Sequence, residues 1–421
     1  MTHTCLNTIK TYAFVVLFIA GWWAFAFNKA STDQTPLAKR QDLMVSPSPI
    51  ALDTAITAID RHLLQEALAG DYRLMARLIA DWDIDAQILT TKGFQGIARL
   101  SHSDFLQSQS LIRTLQSKEA AGKSRSLYQI AHPFVIDDVG SVIHTRQPDR
   151  NFLPQTYVAA SFLLALVPPH QIVALPRNLR NETHLYPLSL TSQIPLDIDR
   201  YQGEKLFQAR PDIAFVAHYS HPDTIQALRN QGILLYTMKD LTTLPDISEE
   251  LLRVGAVANK PLEAELLKLF IDAAIIALDN QQVVFVKHFE QCTQKLPTVL
   301  VVNYHHTFSV PTMKTLTGQL LSRMQAIDLS LKYAAERRHE NEWMAMIDRE
   351  RLLKLDPDFL IVATDHVQAL EDELYHDHSL QGLSAIRNRR LIVVNHAIQN
   401  SPSQYVVLAY HDLIHALMNL L

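Results

Sequence analysis

Imidazole, phenol and guanidinium groups recur in this 421-residue chain just where short apolar runs end. His218, Tyr219 and Ser220 follow the run 213–217, Met238 follows 233–236, and Pro176 and Arg177 follow 171–175. Farther along, Tyr304, His305 and His306 follow 298–302, Asp365 and His366 follow 359–363, and Asn395 and His396 follow 391–394. Trp343 adds a large indole to the second group. Neutral imidazoles bind transition metals or serve as axial ligands, and aromatic rings stack on flat molecules. A guanidinium such as Arg177 pairs with a carboxylate or another anion. His305 and His306 lead the set because they are adjacent at one strand end. The plain alternative for each histidine is a solvated loop residue, and for Arg177 an ordinary surface arginine. A further His-x-His, within Tyr375-His376-Asp377-His378, reads as a surface loop. No residue is assigned as catalytic or as a resident metal ligand, and no cofactor is expected.

Other chemistries have less support. The sequence contains no HExxH or GxSxG motif, and no GxGxxG or GxxxxGK[ST] loop for a nucleotide. A net charge of −5 without a basic stripe argues against nucleic acid as a partner. With 48% hydrophobic and 19% charged residues, the chain can bury a full core. Only 11 glycines point to a helix-rich architecture with few tight hairpins. Of the two cysteines, Cys5 precedes an apolar segment and Cys292 lies far downstream, with no CxxC spacing. Removal of Cys5 on export leaves Cys292 alone and argues against a structural disulfide.

The elements that must position these groups begin with an export signal. Lys10 is followed by apolar residues 12–27, with no charge before Lys29. Ala24-Phe25-Ala26 supplies a small-x-small cleavage pattern. The run is also close to the roughly 20 residues of a bilayer span, with Trp22 and Trp23 suited to an interface. Residues 1–30 therefore read as a signal peptide or an uncleaved membrane anchor. Residues 31–50, with Pro36, Pro47 and Pro49, read as a linker. In 51–125 apolar residues recur at helical spacing (Leu52, Ile56, Ile59, Leu63, then Tyr72, Met75, Ile79), giving a helical extension with a packing face. Beyond it, short apolar strands alternate with helices, the pattern of a largely parallel sheet covered on both faces.

The strongest signal is internal. Residues 204–217 (EKLFQARPDIAFVA) align without gaps on residues 350–363 (ERLLKLDPDFLIVA). Ala227-Leu228-Arg229-Asn230 is then echoed by Ala385-Ile386-Arg387-Asn388. Both blocks read as helix, Pro-Asp turn, buried strand, helix, strand. Between them the stretch from Pro261 carries Leu262, Leu266, Leu269, Phe270, Ala273 and Ile276, a helix buried along much of its length. The expectation is an α/β protein of two similar lobes, 126–258 and 293–421, with mainly parallel sheets. A long spine helix, 259–292, joins them. Open α/β sheets bind ligands outside the carboxyl ends of their strands, which places a cleft between the lobes.

With this order of elements, residues 126–421 resemble the helical-backbone class of substrate-binding proteins of ABC importers, which take up iron-siderophores, haem and cobalamin. Asp137-Asp138-Val139-Gly140 and Gln147-Pro148-Asp149-Arg150 are similar to the family's opening strand and its Pro-x-Arg lead-in to the first lobe. Residues 204–217 and Gln231-Gly232-Ile233 look like its first-lobe block. Asp246-Ile247 through Leu252-Arg253-Val254-Gly255 are like the segment before its spine helix. Residues 343–363 and 385–395 resemble the second-lobe block and closing strand. The chain departs from the family at Thr156-Tyr157, where a Thr-Glu pair is usual, at Pro168-Pro169 in place of a glycine, and in the helical extension.

The resemblance implies a periplasmic, non-enzymatic monomer that hands a small metal-bearing ligand to a permease dimer in the inner membrane. It also implies a docking role for Glu204 and Glu350, since acidic residues at the lobe tips of this family meet permease arginines. Without the resemblance, each is an early-helix Glu favoured by the macrodipole. Two other functions stand beside this one: an exported scaffold or sensor that no longer transports, and a metal-dependent hydrolase.

Overall fold

The computed structural model describes residues 68–69, 133–145, 150–183, 185–198, 210–336 and 342–418. The expected signal or anchor, the linker, all but two residues of the helical extension, and Glu204 lie outside them. An antiparallel hairpin, β1 (Phe134–Ile136) and β2 (Val142–His144), opens the first lobe. Asp137 builds its turn. One carboxylate oxygen accepts from the N–H of Val139 and Ser141 (3.2 and 2.6 Å), and the other accepts from the distant Thr237 N–H at 2.9 Å.

The lobe continues through β3 (Phe152–Pro154), α1 (Tyr157–Leu166), β4 (Leu175–Pro176), α2 (Leu188–Thr191) and β5 (Asp197–Ile198). β6 (Ile213–Ala217), α3 (Pro222–Asn230), β7 (Leu234–Met238) and α4 (Leu244–Val257) complete it. β3, β6 and β7 form a parallel sheet in that order, and β4 and β5 form a separate parallel pair. All five residues of β6 are buried, as a central parallel strand covered on both faces requires. The strand expected at 171–175 is shorter. The N–H groups of Gln171 and Ile172 instead close a 3₁₀ turn onto Pro168 and Pro169, leaving one bridge to Phe152 before β4.

The spine is α5 (Pro261–Thr293), 33 residues or roughly 50 Å at 1.5 Å per residue. It starts with proline at its first position and ends at Gln294 in the left-handed conformation (φ 60°). Ala264, Leu267, Phe270, Ile271, Ala274, Leu278, Phe285 and Phe289 are buried along it; of the residues expected to be covered, Phe270 is among these, and the side chains of Leu262, Leu266, Leu269, Ala273 and Ile276 lie outside those described. At Gly255 a methyl group would come within 2.3 Å of the Ala264 Cβ, so only glycine lets α4 lie this close to the spine.

The second lobe runs β8 (Thr298–Tyr304), β9 (Phe308–Pro311), α6 (Leu316–Leu321), β10 (Ile327–Asp328), α7 (Leu329–Glu336), β11 (Met344–Ile347) and α8 (Arg349–Leu355). β12 (Phe359–Thr364), α9 (Val367–His376), α10 (Ser384–Arg387), β13 (Leu391–Asn395), α11 (His396–Gln399) and α12 (Val406–Met418) follow. Its sheet has the order β11-β9-β8-β12-β13, with β10 beside β8. β8, β12 and β13 are mutually parallel, and β9 and β11 extend the edge as antiparallel strands. The Phe359 ring packs edge-on against Phe285 of the spine at 5.7 Å, which anchors the sheet to the helix.

The last helix does not stay within the second lobe. α12 packs along the spine, while just ahead of it Gln404 donates to the Ser161 carbonyl of α1 (2.7 Å) and Tyr405 meets Tyr186 edge-on at 5.6 Å. Gln282 of the spine ties α12 further. Its amide donates to the Tyr410 hydroxyl (2.8 Å) and the Arg323 carbonyl (2.9 Å) and accepts from Gln325 N–H (2.8 Å). Tyr410 in turn donates to Asp279 at 2.7 Å. One continuous core therefore spans both lobes.

The repeat has a mechanical basis. Arg210 and Asp356, each preceding its proline, both adopt positive φ (44° and 36°). Asp212 then accepts from Asn151 N–H at 2.7 Å and Asp358 from Thr298 N–H at 3.1 Å. In each lobe the Pro-Asp turn pins the start of one parallel strand to the start of its neighbour. Of the two cysteines Cys5 lies outside the described residues, and Cys292, near the end of the spine, has its Sγ 3.6 Å from His288 Nε2.

Candidate functional site

The carboxyl ends of three adjacent parallel strands bring together side chains far apart in sequence. In register, Ala363 of β12 lies beside Asn303 of β8, and Thr364 beside Asn395 of β13. The residues just past these positions are His305, Asp365 and His396. One donor atom from each lies within 4.8 Å of the others. The nearest His305 and His396 nitrogens stand 3.9 and 3.6 Å from the Asp365 carboxylate, and the two rings meet edge to face at 4.6 Å. Asn395 caps α11 by accepting from Ile398 N–H (3.2 Å), which fixes the backbone of His396 at the helix start. Burial holds the His396 imidazole below its ordinary pKa. Neighbouring His305 acts in the same direction and Asp365 opposes both.

The first lobe repeats the theme with fewer groups. Ala217 of β6 lies beside Met238 of β7, and past these ends His218 Nδ1 stands 3.0 Å from the Asp240 carboxylate. Tyr219 packs edge-on against His218 at 5.1 Å and is 66% exposed. Ser220 accepts from Ala217 N–H (3.0 Å), closing the turn that presents both. Past β3, Thr156 caps α1 by accepting from Ala159 N–H (3.1 Å). The phenol of Tyr157 donates to the Arg177 carbonyl at 2.9 Å. Tyr157, the residue that departs from the family pattern, thus holds the backbone of Arg177, whose side chain is exposed.

The other expected residues are dispersed. Met238 is 3% exposed and belongs to the core rather than to the open edge, because its position in β7 points inward. Tyr304 packs on Phe308 at 4.8 Å in the β8–β9 turn, where His306 is exposed with φ 64°. His366 is exposed at the start of α9, outside the His305–Asp365–His396 group. Trp343 is exposed but lies at the other end of the sheet edge. It precedes Met344, which pairs with Pro311, whereas the site lies where Ile347 pairs with Phe308. The antiparallel turn at β9 reverses the chain there, so proximity in sequence to the second-lobe block misplaces it. Glu350 is exposed in the first turn of α8 and pairs with Lys354 at 2.8 Å. The His376 loop is the end of α9, where His376 Nδ1 contacts the Asp372 carbonyl (2.7 Å). Asp240 was missed altogether, and the joining of Asp365 to two histidines was not foreseen, since only strand order reveals either.

Comparison with known proteins agrees with this architecture. The model of the periplasmic binding protein family matches residues 164–397, more than half of the chain, and the chain belongs to that family. Among solved structures, the periplasmic haem-binding protein RhuT from Roseiflexus sp. RS-1 aligns with 18% identity and a TM-score of 0.51, over 65% of this chain and 99% of that one. A periplasmic haem-binding protein from Pseudomonas aeruginosa aligns with 20% identity and a TM-score of 0.50, over 64% and 93%. The haem-binding protein HutB of Vibrio cholerae aligns with 17% identity and a TM-score of 0.50, over 63% and 98%. At these identities the likeness shows the two-lobed α/β fold. Among curated proteins none matches. Among the described residues no helix is long and apolar enough to cross a membrane.

Proposed function

We infer that this protein captures a metal-bearing small ligand, an iron-siderophore, haem or cobalamin, and delivers it to an ABC permease in the inner membrane. The observation that carries the reading is the pair of strand-end clusters, His218–Tyr219–Asp240 on one lobe and His305–Asp365–His396 on the other. Parallel sheets present ligand-binding groups at this edge, and imidazoles with open aromatic rings suit a flat ligand with a metal at its centre. The haem-binding neighbours make haem the first compound to try. No catalytic step is assigned to these residues.

Delivery requires docking, and the exposed Glu350 supplies a carboxylate on the second lobe for a basic permease surface. Family membership and the N-terminal apolar run both support a periplasmic location. The one core shared by both lobes and the stiff spine limit closure to a small tilt. The test is a thermal-shift screen of the protein against haem, cobalamin and ferric siderophores. A ligand that binds only the native state at a hundredfold excess over its Kd stabilises it by about 2.7 kcal/mol. A shift with one compound names the cargo. No shift with any of them favours the scaffold or sensor.

A further inference from the structure

The geometry points to a site for a bare divalent transition-metal ion on the second lobe, held by the imidazoles of His305 and His396 and the carboxylate of Asp365. It deepens the reading of this edge as part of a ligand cleft and rests on that reading. Two observations carry it. First, the ligands sit on the ends of three neighbouring parallel strands, so the sheet places their backbones before any ion arrives. Second, the spacing suits coordination better than it suits hydrogen bonding. Bonds of about 2.0–2.2 Å in tetrahedral geometry set nitrogen and oxygen donors roughly 3.3 Å apart. The observed 3.6 and 3.9 Å separations lie a few tenths of an ångström beyond this, within reach of small side-chain rotations. They are too long to be hydrogen bonds that an ion would have to break.

The donor set defines the class of ion. Two imidazoles and one carboxylate suit zinc, cobalt, nickel or ferrous iron over magnesium or calcium, which prefer oxygen alone. Three protein ligands leave coordination positions open, for water or for donor atoms of a small chelator that carries the metal in. Among the described residues the first lobe does not duplicate the site. His218 and Asp240 supply two donors, already in direct contact at 3.0 Å.

The test titrates the full-length chain in detergent with zinc chloride by calorimetry and with cobalt(II) chloride by visible absorption. The expected result is one ion per chain, with uptake weakened about tenfold or more in each of His305→Ala, His396→Ala and Asp365→Ala. His378→Ala, at an exposed histidine outside both clusters, keeps wild-type uptake, and metal-free melting curves confirm that all variants fold. No uptake by the wild type, or uptake unchanged in the three variants, overturns the proposal. A wild-type chain that binds haem or a ferric siderophore but takes no zinc overturns the metal site and leaves the cleft reading standing. One that takes a single zinc through these residues but binds none of the organic ligands supports the metal site and overturns the larger cargo.

Discussion

Glu250 gives a prediction whose size can be worked from the structure. Its side chain is fully buried on α4. One oxygen accepts from the Tyr236 hydroxyl at 2.9 Å, and the other has no hydrogen-bond partner. Burial pushes its pKa up to about 7 from an ordinary value of 4.5. Because the folded pKa is raised, the folded protein keeps this proton to higher pH than the unfolded chain does. Stability from this group is therefore fully present below pH 4.5, declines as pH rises, and levels off above about pH 7. A difference of about 2.5 units at ~1.36 kcal/mol per unit makes the decline about 3 kcal/mol. Glu250→Gln keeps a carbonyl for Tyr236 and removes the charge. Urea unfolding at pH 5 and pH 8 measures both proteins. The stability of the variant relative to wild type is expected to rise by about 2.5 kcal/mol between the two pH values, since part of the decline already lies below pH 5. Equal pH dependence in the two proteins refutes the reasoning.

Other perturbations read out other parts of the account. His411 and His415 of α12 stack at 3.9 Å, and burial lowers the His415 pKa to about 3 from 6.5. Stability from its neutral form is present above pH 6.5 and lost as pH falls toward 3, so His415→Gln flattens acid unfolding followed by circular dichroism. At Gly318 an added Cβ would lie 1.9 Å from the Thr312 carbonyl oxygen. Gly318→Ala should lower stability by about 3 kcal/mol or more in a thermal melt. Glu350→Lys should leave ligand-induced thermal shifts unchanged while cutting delivery to vesicles that carry the permease.

Most of the architecture was legible in the chain because its signals are local. The Pro-Asp turns announce themselves in a few residues, and each does the same work of pinning two parallel strands together. The spine was legible from apolar residues at helical spacing between Leu262 and Ile276, and the structure has one helix there, Pro261–Thr293. Strand 171–175 was overread, because an apolar run does not reveal that two of its N–H groups are committed to a 3₁₀ turn. β3, β9 and β11 went unnoticed, being only three or four residues long. The site was half legible. His218, Tyr219, His305 and His396 were marked by the ends of their strands. Their joining to Asp240 and Asp365 depends on strand order, which no local pattern encodes. Trp343 and Met238 show the converse: closeness in sequence to a strand end says nothing of which edge or face the side chain occupies.

The central claim is that one ligand is held from both sides by the two strand-end clusters. The most direct measurement titrates the compound found in the thermal-shift screen into wild type, His218→Ala/Tyr219→Ala and His305→Ala/His396→Ala. The account predicts that both double variants bind more weakly, each by about tenfold or more, with one ligand per chain. Undiminished affinity in both, with the variants folded, would contradict it.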